Sequence, residues 1–334
     1  MKRDFLSTED LSDAELKILL DLARAYKKKP RGNALAGKVL GMVFFNPSLR
    51  TRASFETGMF HLGGHAIHLA VGQGTWKIEH RDGVVMDGEA SEHLREAVPV
   101  LSRYCDLLAV RAFPTGKVWD VERTDPVVSA FQQHSTVPVI NMESSMYHPC
   151  QGLADLLTVQ EKLGRTKGKR FVLTWAYHPK ALPTAVPNSA LLALSRSGID
   201  ITLAHPPGWE LDPEVMNRVR ANMKRNGGSL ETTHTFGRAF AGAHVVYAKS
   251  WGALKYYGRD LDERKARAKY TAWQVTPGQM KKTDGGVFMH CLPVRRNVVV
   301  ADAVLDSPAS IVVDQAENRL HVQKALLTTL ARRK

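Results

Sequence analysis

Short apolar runs alternate with helix-patterned stretches along this chain, twice over, and no other feature constrains its fold as strongly. Residues 38–45, 66–71, 106–111 and 137–141 read as buried strands, with helical patterns between several of them, as at 54–62 and 92–103. After Gly168 the alternation resumes, with strands expected at 170–175, 200–204, 243–248 and 286–291. Strands joined by helical crossovers give mostly parallel sheets covered on both faces. The expectation is an α/β protein of two open, doubly wound domains with mostly parallel sheets, joined by interdomain helices. A length of 334 residues suits two domains, each near the usual size of about 150. We place the first at residues 1–147 and the second at 148–316, with a helix at 148–163 joining them. Residues 317–334 read as a last helix that packs back on the first domain. No internal repeat or low-complexity segment is visible.

Composition removes several classes. No apolar run approaches the roughly 20 residues of a membrane span. Acidic residues interrupt the first twenty positions, where a signal peptide needs an unbroken apolar stretch. Ser12 and Glu15 instead have the spacing of a capping box that opens a helix. Cys105, Cys150 and Cys291 form an odd set without CxxC spacing. That pattern points to a reducing, cytoplasmic setting, with no disulfide framework and no zinc site; separately from it, no other metal and no cofactor is expected. Lys plus Arg is 46 and Asp plus Glu is 33, a formal charge of +13. A non-catalytic protein that binds anions or nucleic acid on the same fold is therefore one alternative. Against nucleic acid, the basic residues are dispersed and no RNA-recognition or zinc-finger signature occurs. The tight clusters Lys27-Lys28-Lys29 and Arg332-Arg333-Lys334 both fall at element ends, where cations suit a helix C-terminus. A field that attracts small anionic substrates is the intermediate reading.

In open α/β sheets ligands bind at the carboxyl ends of strands. Polar signatures recur there: Ser48 to Arg52, Arg111, His148 to Gln151, Lys249, and His290 to Arg296. In Phe44-Phe-Asn-Pro-Ser-Leu-Arg-Thr-Arg52, Ser48 is a good helix N-cap. The free amides of the following turn, with the positive end of the helix dipole, favour an anion. Arg50 adds a fork matched to phosphate oxygens and Thr51 adds a hydroxyl. Arg52, two residues on, faces another way and is left to an internal ion pair or to a supporting role behind the residues that touch the ligand. On spacing alone an ordinary capped helix with solvated arginines fits equally well. No GxxxxGK[ST] loop occurs, so no nucleotide is implied. His148 and Gln151 lie three apart at a helix start and can present a donor and an amide to one small polar group; taken alone, a structural histidine is the commoner case. In His290-Cys-Leu-Pro293, Pro293 should hold its predecessor extended, leaving the carbonyls of Cys291 and Leu292 as acceptors for an NH2 group. A plain strand exit with a buried thiol is the alternative. Cys150 or Cys291 as a nucleophile is a further alternative, but no third residue orienting such a pair is evident.

Ser-x-Arg-Thr-Arg, His-Pro-x-Gln and His-Cys-Leu-Pro, in this order and at these spacings, resemble the transcarbamylase family over essentially the whole chain. The resemblance implies a carbamoyl-phosphate domain, a second-substrate domain, and a homotrimer with shared active sites. The His-Cys-Leu-Pro form is similar to the ornithine-type branch. Leu49 departs from the commoner Thr, at a position that contributes its backbone. Ordinary ornithine enzymes carry an acidic Asp-x-x-x-Ser-Met-Gly loop that pairs with the α-ammonium; this chain has Tyr247-Ala-Lys-Ser-Trp-Gly252. Lys249 would repel an ammonium and suits an acceptor whose α-nitrogen is acylated. The loop resembles the N-acylornithine branch, as do Asn141-Met-Glu143 and Cys291-Leu-Pro-Val-Arg-Arg-Asn297.

What the resemblance implies is transfer of the carbamoyl group of carbamoyl phosphate to the δ-amine of an N-acyl-L-ornithine, in arginine biosynthesis. Ser48, Leu49, Arg50, Thr51 and Arg319 would hold the phosphate, with Trp76 lent by a neighbouring subunit. Thr51, Arg111 and His148 would hold the carbonyl oxygen. Gln151 and the Leu292 carbonyl would orient the carbamoyl NH2. Glu143, Lys249, Cys291 and Arg295 would meet the acylornithine. Ser91, in Asp87-Gly-Glu-Ala-Ser-Glu-His93, matches a position that is Glu in the acetyl branch and Pro in the succinyl branch. Serine lacks the glutamate's repulsion toward a succinyl carboxylate, and Val298-Val299-Val300 also resembles the succinyl branch, so succinyl is slightly favoured over acetyl. Glu92 is adjacent, and a loop shifted by one residue would reverse that inference. A plain ornithine carbamoyltransferase is the enzymatic alternative.

Overall fold

The computed structural model describes residues 3–331, so the basic triplet Arg332-Arg333-Lys334 lies outside the described residues. In chain order the strands are β1 (Val39–Phe44), β2 (His65–Ala70), β3 (Lys77–Glu79), β4 (Ala90–His93), β5 (Leu107–Arg111), β6 (Val139–Glu143), β7 (Arg170–Trp175), β8 (Asp200–Ala204), β9 (Leu230–Thr233), β10 (Val245–Lys249) and β11 (Val287–Met289). The helices are α1 (Asp13–Lys28), α2 (Leu49–His61), α3 (Leu94–Tyr104), α4 (Trp119–Glu122), α5 (Pro126–His134), α6 (Pro149–Leu163), α7 (Ala185–Leu194), α8 (Pro213–Asn226), α9 (Asp260–Arg267), α10 (Pro277–Met280), α11 (Asp302–Leu305) and α12 (Val312–Ala331). The chain divides into two compact units, one made of residues 3–115, 120–150 and 319–331, the other of residues 116–119 and 151–318.

The first unit is built on a four-stranded sheet in the order β2-β1-β5-β6, parallel throughout. β5 and β6 are buried at every residue, as expected for strands covered on both faces. Val43, Leu108, Val110 and Val139 of the sheet pack with Leu94, Val98, Val128 and Phe131 of α3 and α5. The open edge of β6 is covered by Phe5, whose amide donates to Val139 O at 2.8 Å and whose carbonyl accepts from Asn141 N at 2.9 Å. α1 forms for local reasons. Ser12 and Glu15 make the capping box, Leu16, Leu19, Leu20 and Ala23 bury one face, and Lys27 and Lys28 end the last turn. β3 and β4 form a separate two-stranded ribbon that the alternation did not foretell.

The C-terminal residues of α12 belong to this unit, and the helix begins at Val312 rather than at residue 317. Lys324 is fully buried on it. Its ammonium donates to Tyr26 O at 3.2 Å and Pro30 O at 3.0 Å, around the end of α1. Burial pushes this lysine down to about 8. The unfolded chain keeps the proton up to the usual lysine range, whereas the folded chain sheds it near pH 8. The stability contributed by this group therefore rises from about pH 8 to the unperturbed lysine value and falls away below it. Denaturant midpoints of the wild type minus those of Lys324→Met should increase across that window; a flat difference would contradict the assignment.

The second unit carries a five-stranded parallel sheet in the order β11-β10-β7-β8-β9. α7 is buried at all its residues. It lies close to α6 at Gly152, where an added Cβ would meet Ser189 O at 2.5 Å. Only glycine allows that approach. α8 starts on Asp212 and Pro213 and stops at Gly227, whose φ of 84° an L side chain rarely adopts. β9 extends the sheet beyond the strands expected from the sequence.

Candidate active site

In each sheet the strand order reverses once about a central strand, and the carboxyl ends beside that reversal form the place where doubly wound sheets bind ligands. In the first unit the reversal lies between β1 and β5, and the register sets Phe44 against Arg111. Asn46 ties the two strand exits together by accepting from Phe113 N at 2.7 Å. Ser48 then caps α2, its hydroxyl accepting from Thr51 N at 3.2 Å. Leu49 is exposed, Arg50 half-buried and Thr51 buried. Arg52 pairs along the exposed face of the helix with Glu56 at 2.9 Å, the ion-pair alternative of the two. From α12, the buried Arg319 donates to Thr51 Oγ1 at 2.8 Å. A helix N-terminus and two guanidinium-bearing residues therefore share one strand exit. That is a set of donors and positive charge suited to a phosphate.

At the end of β5, Arg111 is buried and its guanidinium stacks on the Phe113 ring, 4.4 Å from the centroid. Arg111 also pairs with Glu143, and His148 Nε2 lies 3.3 Å from the same carboxylate oxygen. A register shift between Val110 and Arg111 puts Glu143 opposite Arg111, which is what brings the pair together. Glu143, assigned from the resemblance to the acceptor, is thus in contact with two residues assigned to the carbamoyl group. His148 precedes α6 and is buried.

Trp76 and Ser91 are also in the first unit and exposed, Trp76 directly before β3 and Ser91 within β4. Trp76 Nε1 donates to Glu92 Oε2 at 2.5 Å.

In the second unit the reversal lies between β7 and β10, with Lys249 in register with Trp175. Lys249 is buried, and among the described residues its ammonium has no carboxylate partner. Arg295 has none either; its Nε donates to His178 Nε2 at 3.0 Å. His178 Nδ1 lies 2.9 Å from Lys180 O. The same Nδ1 accepts from Lys180 N at 3.0 Å. Burial, with the charges of Arg295, Lys249 and Arg267 around it, holds this imidazole below the usual histidine range. Cationic side chains thus converge at this strand exit without a balancing carboxylate on Lys249 or Arg295. The strand-exit rule alone could have found His178, which follows β7, but no residue pattern distinguished it.

Gln151 Nε2 donates to Asp155 Oδ1 at 2.8 Å one turn on in α6. Gln315 Nε2 donates to the same oxygen at 2.6 Å, and its own carbonyl accepts from His290 N at 2.9 Å. Gln151 is thereby linked to the β11 exit that carries Cys291 and Leu292. That exit corrects one expectation. Leu292 is not extended: its φ is 55°, in the left-handed region, and its bond to Pro293 is cis. Its amide donates to His290 Nδ1 at 2.9 Å, a local side-chain-to-backbone hydrogen bond two residues back that competes with the extended preference. A nucleophilic Cys150 is also disfavoured, because complete burial pushes its thiol up to about 12. Among the described residues no group of His, Cys, Asp and Glu could hold a metal ion, and no helix is long and apolar enough to cross a membrane.

Comparison with known proteins covers nearly the whole chain. The family model for the carbamoyl-P binding domain of aspartate/ornithine carbamoyltransferase matches residues 3–161, and that for the Asp/Orn binding domain matches residues 182–330. An N-acetylornithine carbamoyltransferase of Xanthomonas axonopodis pv. citri (strain 306) is 51% identical over 332 residues, covering 98% of this chain and 96% of its own length. An N-succinylornithine carbamoyltransferase of Bacteroides fragilis (strain 638R) is 40% identical over 284 residues, 84% of each chain. Among solved structures, an acetylornithine transcarbamylase complexed with acetylcitrulline superposes with a TM-score of 0.96 at 51% identity, covering 98% of both chains. A glutamate-to-serine variant of an N-acetyl-L-ornithine transcarbamylase, complexed with carbamyl phosphate and N-succinyl-L-norvaline, has the same score and identity, covering 98% of this chain and 99% of its own.

Proposed function

The chain belongs to the aspartate/ornithine carbamoyltransferase family, and on that premise we propose that it carries the carbamoyl group of carbamoyl phosphate to the δ-amine of an N-acyl-L-ornithine. The observation that carries the choice of acceptor is the buried, carboxylate-free ammonium of Lys249. A free α-ammonium at that strand exit would meet like charge; an acylated α-nitrogen beside a carboxylate meets a complement. A plain ornithine acceptor is disfavoured on the same ground.

The first unit is the donor domain and the second the acceptor domain. The phosphate binds the α2 N-terminus, with Ser48, the Leu49 and Arg50 backbone, the Arg50 side chain, Thr51 and Arg319 around it. The neutral δ-amine attacks the carbonyl carbon, and negative charge grows on the carbonyl oxygen. Thr51, Arg111 and His148 stabilise that charge, and the C–O bond to phosphate then breaks. Gln151 and the Leu292 carbonyl orient the carbamoyl NH2. Glu143, Lys249, Arg295 and the Cys291 carbonyl bind the acylornithine. The leaving phosphate takes the amine proton, so no protein nucleophile enters; catalysis comes from orientation and fixed charge. Trp76 and Ser91 act in the site of a neighbouring copy within a homotrimer, which accounts for two site residues on exposed segments. The three free, buried cysteines fit a cytoplasmic enzyme of arginine biosynthesis.

For the acyl group, N-succinyl-L-ornithine is favoured by Ser91, which brings no charge to the succinyl carboxylate. Complexes of a glutamate-to-serine variant of a relative with N-succinyl-L-norvaline support this. N-acetyl-L-ornithine is the second reading, favoured by the 51% identity to an N-acetylornithine enzyme against 40% for an N-succinylornithine enzyme. Incubation with carbamoyl phosphate and, in turn, N-succinyl-L-ornithine, N-acetyl-L-ornithine and ornithine, followed by assay of the citrulline product, tests the proposal. Product from ornithine alone would overturn it. Ser91→Glu should shift the succinyl-to-acetyl preference toward acetyl by roughly tenfold or more, since like charges at close range cost several kcal/mol when partly desolvated. An unchanged ratio of kcat/KM values would remove Ser91 from the account.

A further inference from the structure

Between α4 and α5, Asp125 is a non-glycine residue with φ 50° and ψ 55°, the left-handed region. Backbone strain of this kind persists where surrounding contacts over-determine it, and it concentrates at functional sites. Asp125 stands at the N-cap position of α5 yet makes no side-chain cap to that helix. Its carboxylate is turned elsewhere, onto the turn that follows β6. Oδ2 accepts from Ser144 Oγ at 2.6 Å; Oδ1 accepts from Ser145 N at 2.8 Å and from Met146 N at 3.2 Å. Ser144 Oγ accepts in turn from Asn141 Nδ2 at 2.8 Å and from Tyr147 N at 3.2 Å. Ser144 N donates to Tyr147 O at 2.8 Å and closes the turn.

This turn has a functional residue at each end. Glu143 precedes it and His148 follows it, and the two are in contact across it. The span between them is four residues whose backbone Asp125 holds from outside. We propose that Asp125 is a positioning residue of the carbamoyl-transfer site: by clamping Ser144, Ser145 and Met146 it fixes His148 against Glu143 and Arg111. The inference rests on the proposed function, because only a reaction at His148 gives the clamp a kinetic consequence.

A carboxylate is suited to this task because all three of its partners are donors. Protonation would turn one oxygen into a donor facing the Ser144 hydroxyl and weaken the clamp. Burial pushes this carboxyl up to about 6, against which the hydrogen bonds from Ser144, Met146 and Ser145 act. No charged side chain is among its hydrogen-bond partners. The titratable groups nearest along the chain are Glu122 and Arg123 before it, and Glu143 and His148 at the ends of the turn; Arg111 reaches the turn only through Glu143. Because the folded value lies above the unfolded one, this group's stability contribution is complete below the unfolded value and is lost as pH rises through about 6. Acidification toward pH 5 should therefore cut turnover without this residue lowering stability.

The test compares wild type, Asp125→Asn and Ser144→Ala. Asn tolerates the left-handed backbone and keeps one acceptor, whereas Ser144→Ala leaves Asp125 intact and removes only the hydroxyl. Both should lose about tenfold to a hundredfold in kcat, the range expected when a reacting group is displaced by a fraction of an ångström, with the KM for the acylornithine little changed. The wild-type kcat should fall on the acid side near pH 6, and Asp125→Asn should lose that limb. Wild-type kcat in either variant, an acid limb that persists in Asp125→Asn, or loss of thermal stability without loss of kcat would each overturn the proposal. A wild-type protein that carbamoylates none of the acceptors would instead overturn the proposed function.

Discussion

Arg50→Ala is expected to lower kcat/KM for carbamoyl phosphate by about 10²–10³-fold, the loss typical for one fixed donor at a site of developing charge. Ser48 caps α2 with its side chain, so the first amides of the helix are turned toward the strand exit with no intrahelical partners. An anion there gains the amides and the helix dipole, but those alone supply a partial charge of only about half an electron. Full neutralisation of a phosphate needs guanidinium groups, and Arg50 and Arg319 are the ones assigned to it at this exit. Arg319 also donates to Thr51, so its removal would disturb the turn as well as the charge. Arg50 is the cleaner variant. Steady-state kinetics with carbamoyl phosphate varied will check it, and Arg50→Lys should recover part of the loss, because an ammonium restores charge without the bidentate fork. Near-normal turnover in Arg50→Ala would contradict the phosphate assignment.

The second large effect is expected at Lys249. Lys249→Met keeps the length and apolar packing of the side chain at the end of β10 but removes its charge. If the ammonium pairs with the acceptor's carboxylate in a desolvated site, truncating one partner costs about 2–5 kcal/mol, or roughly 10²-fold or more in kcat/KM for the N-acylornithine. The KM for carbamoyl phosphate should be little affected. The same variant separates two meanings of the buried cation. Were Lys249 only a structural charge, its removal would raise thermal stability by relieving an unpaired buried ammonium and leave the acceptor kinetics unchanged. The account predicts a kinetic loss whatever the change in stability.

Much of the fold could be read from the residues because parallel strands buried on both faces appear as short apolar runs, and the seven longest strands of the two sheets, together with β11, all lie on such runs. β9, Leu-Glu-Thr-Thr at the edge of its sheet, has no such run and was not foreseen. The ribbon of β3 and β4 is short and polar for the same reason. At the site, the Ser48 cap and the Arg52–Glu56 pair follow from local spacing, since both are helical neighbours. The Glu143 contacts could not be read that way. They depend on a register shift beside Arg111, which no periodicity announces. His178 was missed because its partner Arg295 is 117 residues away in sequence. Asp125 was missed because an Asp-Pro pair ordinarily marks a turn that caps its own helix, and here the carboxylate serves another segment. Leu292 departs from the pre-proline rule beside a local hydrogen bond from its own amide to the His290 side chain, which that rule does not take into account.

The most direct measurement is a crystal structure of the protein with a hydrolysis-resistant phosphonate mimic of carbamoyl phosphate. The account predicts the phosphonate on the amides of the turn at Ser48–Thr51, within hydrogen-bond distance of the Arg50 and Arg319 guanidinium groups, and its carbonyl oxygen toward Thr51, Arg111 and His148. The mimic bound elsewhere, with the α2 N-terminus left unoccupied, would contradict it.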